Sequence, residues 1–402
     1  MTVRTFQGVA VLVACAATAL LLAATAGAAS HGGVLFAAPN GTGSDCTVQN
    51  PCSLSTAVAT AADGAVVHAG AGTYPGGIVV TTSITLLGFG AVIDGSSTPN
   101  VPGLQILASG TRVQGFTIEH AFLEGILVGS SPANPDGSPA TAGAPVDDVT
   151  IQNTVVTGND TGFSGQVGAG FGECFSTPFA PGDCGEAIHL VSATHSVLRN
   201  NVVTGNAGGI LLTDEFGPAA NNVVQNNVST DNDDDCGITL ASHTPAGVHD
   251  NTIENNVADR NGVAGQGGGI LMAAAGPVGG AYDNLIRNNE ASGNGLAGIV
   301  IHDHFPGANL SGNVMENNVL SNDNLDGDLD FFAAQDTRRT GILIAAGLPF
   351  PGPAIPPITG TVVRNNTITD VEIGIWTLNA PADLNTITNN HFGPGVTPLS
   401  SQ

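Results

Sequence analysis

The chain has 402 residues, 56 of them glycine, with 42% hydrophobic residues but only 4% aromatic ones. Such a chain cannot fill a wide globular core with rings, but it can fill a narrow tube with Ile, Val and Leu and turn its corners on Gly and Asn. Thirty-three acidic residues stand against eight basic ones, all arginine, for a net charge of −25. The clustered cations that nucleic acid or an anionic membrane surface requires are missing, and a polyanionic substrate is repelled unless a bound cation bridges it.

Residues 1–28 read as a secretory signal: Arg4 gives the positive start, Val9 to Leu22 the apolar stretch, and Ala26-Gly27-Ala28 a small-residue cleavage site. Leu12-Val13-Ala14-Cys15 resembles a lipoprotein box, but the apolar run continues well past Cys15, which argues against lipidation. No later stretch is long and apolar enough to span a bilayer. The expectation is a secreted, extracellular, monomeric chain. In an oxidising compartment Cys46 with Cys52, and Cys174 with Cys184, are placed to form local disulfides, while Cys236 is left as a buried thiol.

Residues 29–63 form a cap and lead-in, with a short helix expected over Ser53 to Ala62. Beyond them one unit recurs: an apolar residue, a spacer, then two asparagines. It runs through Val197 to Asn201, Val224 to Asn227, Ile253 to Asn256, Ile286 to Asn289, Met315 to Asn318, Val363 to Asn366 and Ile387 to Asn390. Most spacings fall between 24 and 33 residues, the range of solenoid repeats, and a 48-residue gap from Asn317 to Asn365 must hold a long loop. Each repeat also carries a Gly-Ile-x-Leu strand, at Ile126, Ile188, Ile210, Ile238, Ile270, Ile299, Ile342 and Ile375. Its period of two sends the Ile and the residue two later inward and the one between outward. Short strands of this kind bury their apolar face only by stacking coil on coil at about 4.8 Å, with the asparagines bonding up and down the stack.

These repeats resemble the pectate-lyase-like superfamily of right-handed parallel β-helices. The resemblance implies an all-β solenoid over residues 64–392, a tail at 393–402, and lateral loops at 131–148, 161–184, 325–340 and 347–360. The superfamily includes lyases, hydrolases, epimerases and non-catalytic tailspikes, so the resemblance implies fold and leaves function to the site.

Aligning the coils on the inward Ile brings chemistry-bearing residues together. His189 faces outward, and the next coil ends in Thr213-Asp214-Glu215. The following ones end in Ala241-Ser242-His243, Ala273-Ala274-Ala275 and His302-Asp303-His304. Asp214 and Glu215 then lie one coil from His243, with a shelf of alanines before His302 and His304: a groove suited to acid–base catalysis. A strand sends His302 and His304 to one face, where they could share a metal. At the other end of the strands, Asp233-Asp234-Asp235-Cys236 resembles one motif of the polygalacturonase-type hydrolases. The neighbouring coils carry Asn206-Ala207-Gly208 and Gly265-Gln266-Gly267 where that family has Asn-Thr-Asp and Gly-His-Gly, so only Asp234 and Asp235 carry over. Glu186 enters its strand near the same edge.

Asn322, Asn324, Asp326, Asp328 and Asp330 alternate like the first half of a calcium loop, without the closing Glu of an EF-hand. Arg338 and Arg339 follow and could hold a substrate carboxylate or pair with these aspartates. Trp376, the single Trp, is either a sugar-stacking platform or a cover for the stack. The expected function is cleavage of a polysaccharide, by hydrolysis ahead of elimination. The alternative is a non-catalytic carbohydrate-binding or cell-surface solenoid.

Overall fold

A computed structural model describes residues 32–131, 142–161, 186–264, 267–274, 278–303, 305–328, 331, 333–347 and 354–401. The signal segment, Cys174, Cys184, His304, Asp330 and the Gly265-Gln266 pair lie outside the described residues. Each coil contributes one strand to each of three long parallel sheets. Sheet 1 has eleven strands from Ile78–Val80 to Thr397–Ser401 and carries the Gly-Ile strands. Sheet 2 has twelve, from Val34–Ala37 to Thr386–Thr388, and sheet 3 has eleven, from Gly72–Pro75 to His391–Phe392. A short fourth sheet of five two-residue strands lies between sheets 1 and 2. The chain is a right-handed parallel β-helix.

The register follows the expected alignment. Ile126 pairs with Ile188, Ile188 with Ile210, Ile210 with Ile238, and so on through Ile270, Ile299, Ile342 and Ile375. All of these are fully buried, and they fill the tube together with Leu198, Val224, Ile253, Ile286 and Met315 from sheet 2.

The two asparagines of each pair do different work. The first takes the left-handed conformation that turns the corner, with φ near +55° at Asn200, Asn226, Asn255, Asn288, Asn317, Asn365 and Asn389. Asparagine tolerates that region better than most residues. The second points inward and builds a ladder. Asn256, for example, accepts from the Asn227 backbone N–H at 2.9 Å and donates to the Val224 carbonyl and to Asn289 Oδ1. Two more ladders run beside it, Asn222–Asn251–Asn284–Asn313 and Asn159–Asn206–Asn232–Asn261–Asn294, the latter ending on Asp323. They satisfy buried backbone groups at corners where strand pairing lapses.

The helix spans Leu54–Thr60, inside the expected Ser53–Ala62, because Ser53 caps it by accepting from Thr56 N and Ala61 is already extended. Cys46 and Cys52 form a disulfide beside it. The sheets reach beyond the expected 64–392. Val34–Ala37 pairs with Val66–Ala69, and Thr397–Ser401 closes sheet 1 against Ile373–Leu378. Neither end strand carries the Asn pair that follows the sheet 2 strands from Val197 onward.

Sheet 1 also corrects the expectation of an open groove along its outer face. The outward column, Leu127, His189, Leu211, Thr239, Leu271, Val300, Leu343 and Trp376, is no more than 9% exposed anywhere. Its C-terminal half is a second small core in which Leu271, Val300, Leu343 and Trp376 pack with Leu296, Ala297 and Phe331. Apolar residues on both faces make this a sheet with loops lying over it.

Candidate active site

Glu215 and His243 come from the ends of adjacent sheet 1 strands, Gly208–Thr213 and Ile238–Ser242, which are locked in register by Thr213 opposite Ala241. His243 Nδ1 lies 2.6 Å from Glu215 Oε1. The other oxygen, Oε2, accepts from the Thr213 hydroxyl at 2.5 Å. Thr213 Oγ1 therefore receives the His189 Nε2–H at 2.9 Å, and His189 Nδ1 faces Glu124 Oε1 at 3.4 Å, where a proton on either partner joins them. The result is one line, Glu124–His189–Thr213–Glu215–His243, crossing four coils. Glu124 and His189 are sealed, while the Glu215 and His243 side chains are 15% and 27% exposed. The line surfaces at its His243 end.

Burial pushes the Glu215 carboxyl up. The hydrogen bond and charge of His243, with the charge of His189 and the Thr213 hydroxyl, outweigh it and hold the group at about 2 instead of 4.5. An ionised Glu215 fixes the proton on His243 Nδ1 and makes its imidazole the group able to take or give a proton.

Asp214, the neighbouring carboxylate, has a different task. It is fully buried and accepts from the backbone N–H groups of His243, Thr244 and Gly247 and from the hydroxyls of Ser242 and Thr244. It holds the 242–247 turn in shape and so fixes the backbone of His243. Asp214 and Glu215 are thus not a pair of free carboxylates.

The opposite edge of the strands gathers a second group. Glu124 and Glu186 stand at the same coil position, each two residues before the inward Ile, and both are fully buried. Glu186 and Asp235 flank Gly208: a Cβ there would sit 2.8 Å from Glu186 Cγ and 3.3 Å from Asp235 Cβ. A side chain at 208 would crowd both. Asp235 Oδ1 also accepts from Cys236 N at 2.6 Å, and burial together with the charge of Asp233 raises the Asp234 carboxyl. Cys236 is a buried free thiol.

The remaining expected residues are spread out. His302 lies in the alanine column, opposite Ala273 and Ala345, with its ring edge-on to Phe331 at 6.1 Å; its partner in the metal reading, His304, is outside the described residues. Asp303 is 2% exposed and accepts from Phe305 N. Trp376 is 1% exposed beneath Phe331, which removes the sugar-stacking reading and makes it a cover for the stack. Arg338 binds Glu372 at 3.2 Å, and Arg339 donates to Asn322 Oδ1. Elsewhere, Asp94, Glu119 and His120 bring three ligand atoms within 4.8 Å of one another at the end of the sheet 3 strands Ala91–Asp94 and Thr117–Glu119.

Sequence reasoning missed Glu124 and Thr213. The shared spacing of Glu124-Gly125-Ile126 and Glu186-Ala187-Ile188 was a usable signal for the first. Thr213 had none, since a strand threonine is ordinary.

Residues 102–278 match a family model described as a right handed beta helix region. No curated protein matches the chain in sequence. Among solved structures, the chain is similar to the A-module of the Azotobacter vinelandii mannuronan C-5 epimerase AlgE4. The TM-score is 0.54 at 14% identity, covering 84% of this chain and 89% of that one. The A-module of the epimerase AlgE6 from the same organism gives 0.52 at 14% identity, covering 84% and 91%. The pectate lyase Pel9A gives 0.47 at 15% identity, covering 93% and 80%. At these identities the likeness is one of fold.

Proposed function

We propose that the protein is an extracellular carbohydrate-active β-helix that cleaves a polysaccharide by general acid–base chemistry at His243. The observation that carries this reading is the hydrogen-bonded line from Glu124 to His243, buried along its length and reaching solvent at an imidazole. Such a line costs desolvation and ordering that a plain solvated flank would not require. Glu215 orients His243, Asp214 fixes the turn that carries it, and Thr213 and His189 hold Glu215 from behind.

Hydrolysis of a neutral or weakly charged glycan fits better than elimination. Elimination from a uronate needs a cation beside the sugar carboxylate, and the adjacent cations Arg338 and Arg339 are engaged by Glu372 and Asn322. The net charge of −25 also disfavours a polyanion. With Asp214 consumed by its turn, His243 backed by Glu215 takes the proton of the attacking water and returns it to the departing glycosidic oxygen as the bond to the anomeric carbon breaks. Incubating the purified chain with neutral and acidic glycans, with calcium or chelator, tests this reading. New reducing ends without unsaturated uronate absorbance support hydrolysis. Unsaturated products would replace it with elimination, and inertness on the whole panel would remove the enzyme reading.

One observation favours a second reading, a non-catalytic carbohydrate-binding solenoid. The outer face of sheet 1 is covered along the Leu127–Trp376 column, so the exposed part of the site is narrow. Under this reading substitution of His243 leaves glycan binding intact.

A further inference from the structure

Beside the candidate site the fourth sheet carries an aromatic pair. His249 and Tyr282 end the strands Val248–His249 and Ala281–Tyr282 and stand opposite each other in register. Their rings stack with centroids 4.8 Å apart and planes 10° from parallel, the spacing of one coil. In the coil before them the same position holds Ala220. In the coil after them Gly280 bridges to Asn309, which sets Ser311 opposite Tyr282. The column thus puts a small side chain on either side of the pair, and both rings are partly exposed.

The 242–247 turn joins this pair to His243. Asp214 accepts from His243 N and from Gly247 N, each at 2.6 Å, so both ends of the turn are held on one carboxylate. Gly247 lies against the rings. A Cβ there would stand 2.8 Å from Tyr282 Cε1, 3.2 Å from the Tyr282 hydroxyl and 3.3 Å from His249 Cδ2. The turn therefore carries the His243 imidazole at one end and abuts the two rings at the other. The rim of the pair is acidic. Asp250 and Asp283 are the exposed corner residues that follow the rings, and Asp250 Oδ2 lies 2.8 Å from His249 Nδ1. Burial, then the charges of Asp250, Asp283 and Asp214, push the Tyr282 hydroxyl up, which keeps it neutral.

We infer that Tyr282 and His249 form a sugar-binding platform beside His243, which takes one neutral pyranose residue of the glycan chain. The inference rests on the reading of His243 as a glycan site. The C–H face of a pyranose packs on the electron-rich face of an aromatic ring, and the Tyr282 hydroxyl is placed to bond a sugar hydroxyl at the edge of that contact. Asp250 and Asp283 at the rim repel a uronate, so the platform selects an uncharged sugar. Neither ring touches the bond that breaks. They are positioning residues, and their contribution appears in binding.

Titration of the His243→Gln chain, in which turnover does not disturb binding, tests the inference. The probes are the hexasaccharides of β-1,4-linked glucose, mannose and xylose, with hexagalacturonate as the acidic counterpart. Binding is read by calorimetry and by magnetic resonance of ring-labelled tyrosine. The chain has two tyrosines and Tyr74 is 1% exposed, so the other signal reports the platform. The expected result is saturable binding of a neutral hexasaccharide that shifts the Tyr282 signal, with weaker binding of hexagalacturonate. Tyr282→Ala should weaken binding about tenfold, and Tyr282→Phe less than about threefold. With His243 intact, Tyr282→Ala should raise KM by a similar factor and leave kcat nearly unchanged. Undiminished binding by Tyr282→Ala, or a Tyr282 signal unmoved at saturation, overturns the platform and leaves the catalytic reading of His243 standing. Ring-dependent binding by a wild-type chain without turnover supports the platform and removes the enzyme reading. If Tyr282→Ala does not fold, the signal of the intact ring decides. Binding of none of the neutral probes, or tighter binding of hexagalacturonate, overturns the inference as well.

Discussion

Glu215 and His243 stand one coil apart at the ends of neighbouring strands and share a contact of 2.6 Å, although 28 residues separate them in the chain. The pairing follows from register: once Ile210 stacks on Ile238, the residues five positions beyond each inward Ile are adjacent. His243 is thereby held against an ionised carboxylate, with Thr213 and His189 behind it.

That contact makes the carboxyl of Glu215 acid-sensitive. Its folded pKa of about 2 lies below its ordinary 4.5. The stability it contributes is full above pH 4.5 and is lost as pH falls from there toward 2. Glu215→Gln should flatten the melting-temperature profile in that window while leaving it unchanged in shape between pH 6 and 8. In turnover, the same variant should lose about tenfold or more through loss of imidazole orientation. Parallel melting curves and pH–rate profiles of the two proteins read both effects.

Asp323 titrates in the opposite sense. It ends the Asn159–Asn294 ladder, accepts from Asn294 N and Nδ2, and is wholly buried, which raises its carboxyl to about 8 from 3.8. A folded pKa above the unfolded one means a contribution that is full below pH 3.8 and lost as pH rises through 8. Asp323→Asn restores the ladder chemistry of the coils before it. It should raise the melting temperature at pH 9 by several degrees and change it little at pH 4, as thermal denaturation at the two pH values will show.

The Asn pairs separate two kinds of cost at adjacent positions. Asn255 needs only the left-handed backbone, at φ +56°, so Asn255→Gly should change stability by less than about 1 kcal/mol. Asn256 is bound on both sides of the stack, and Asn256→Ala strands a backbone N–H of Asn227 and the carbonyl of Val224. A loss of about 3 kcal/mol is expected from unsatisfied buried groups. Chemical denaturation of both variants measures the contrast.

Much of the solenoid was legible because its rules are local and repeated. Gly-Ile-x-Leu and Asn-Asn mark a strand and a corner wherever they occur, and their spacing sets the register that brings Glu215 to His243. The parts that were not legible depend on what covers the coils. Nothing in a strand pattern shows that Trp376 lies beneath Phe331, or that the outward column is buried. Nor does sequence distinguish Asp214, saturated by its turn, from Glu215 beside it. The end strands Val34–Ala37 and Thr397–Ser401 escaped notice because they pair with the stack without carrying its motif.

The most direct measurement is glycan turnover by His243→Gln beside the wild-type chain, with melting temperature recorded for both. Loss of about 10² to 10⁴ in rate with a nearly unchanged melting temperature is the expected result. Equal turnover by the two proteins would contradict a catalytic His243 and move the chemistry to another part of the solenoid.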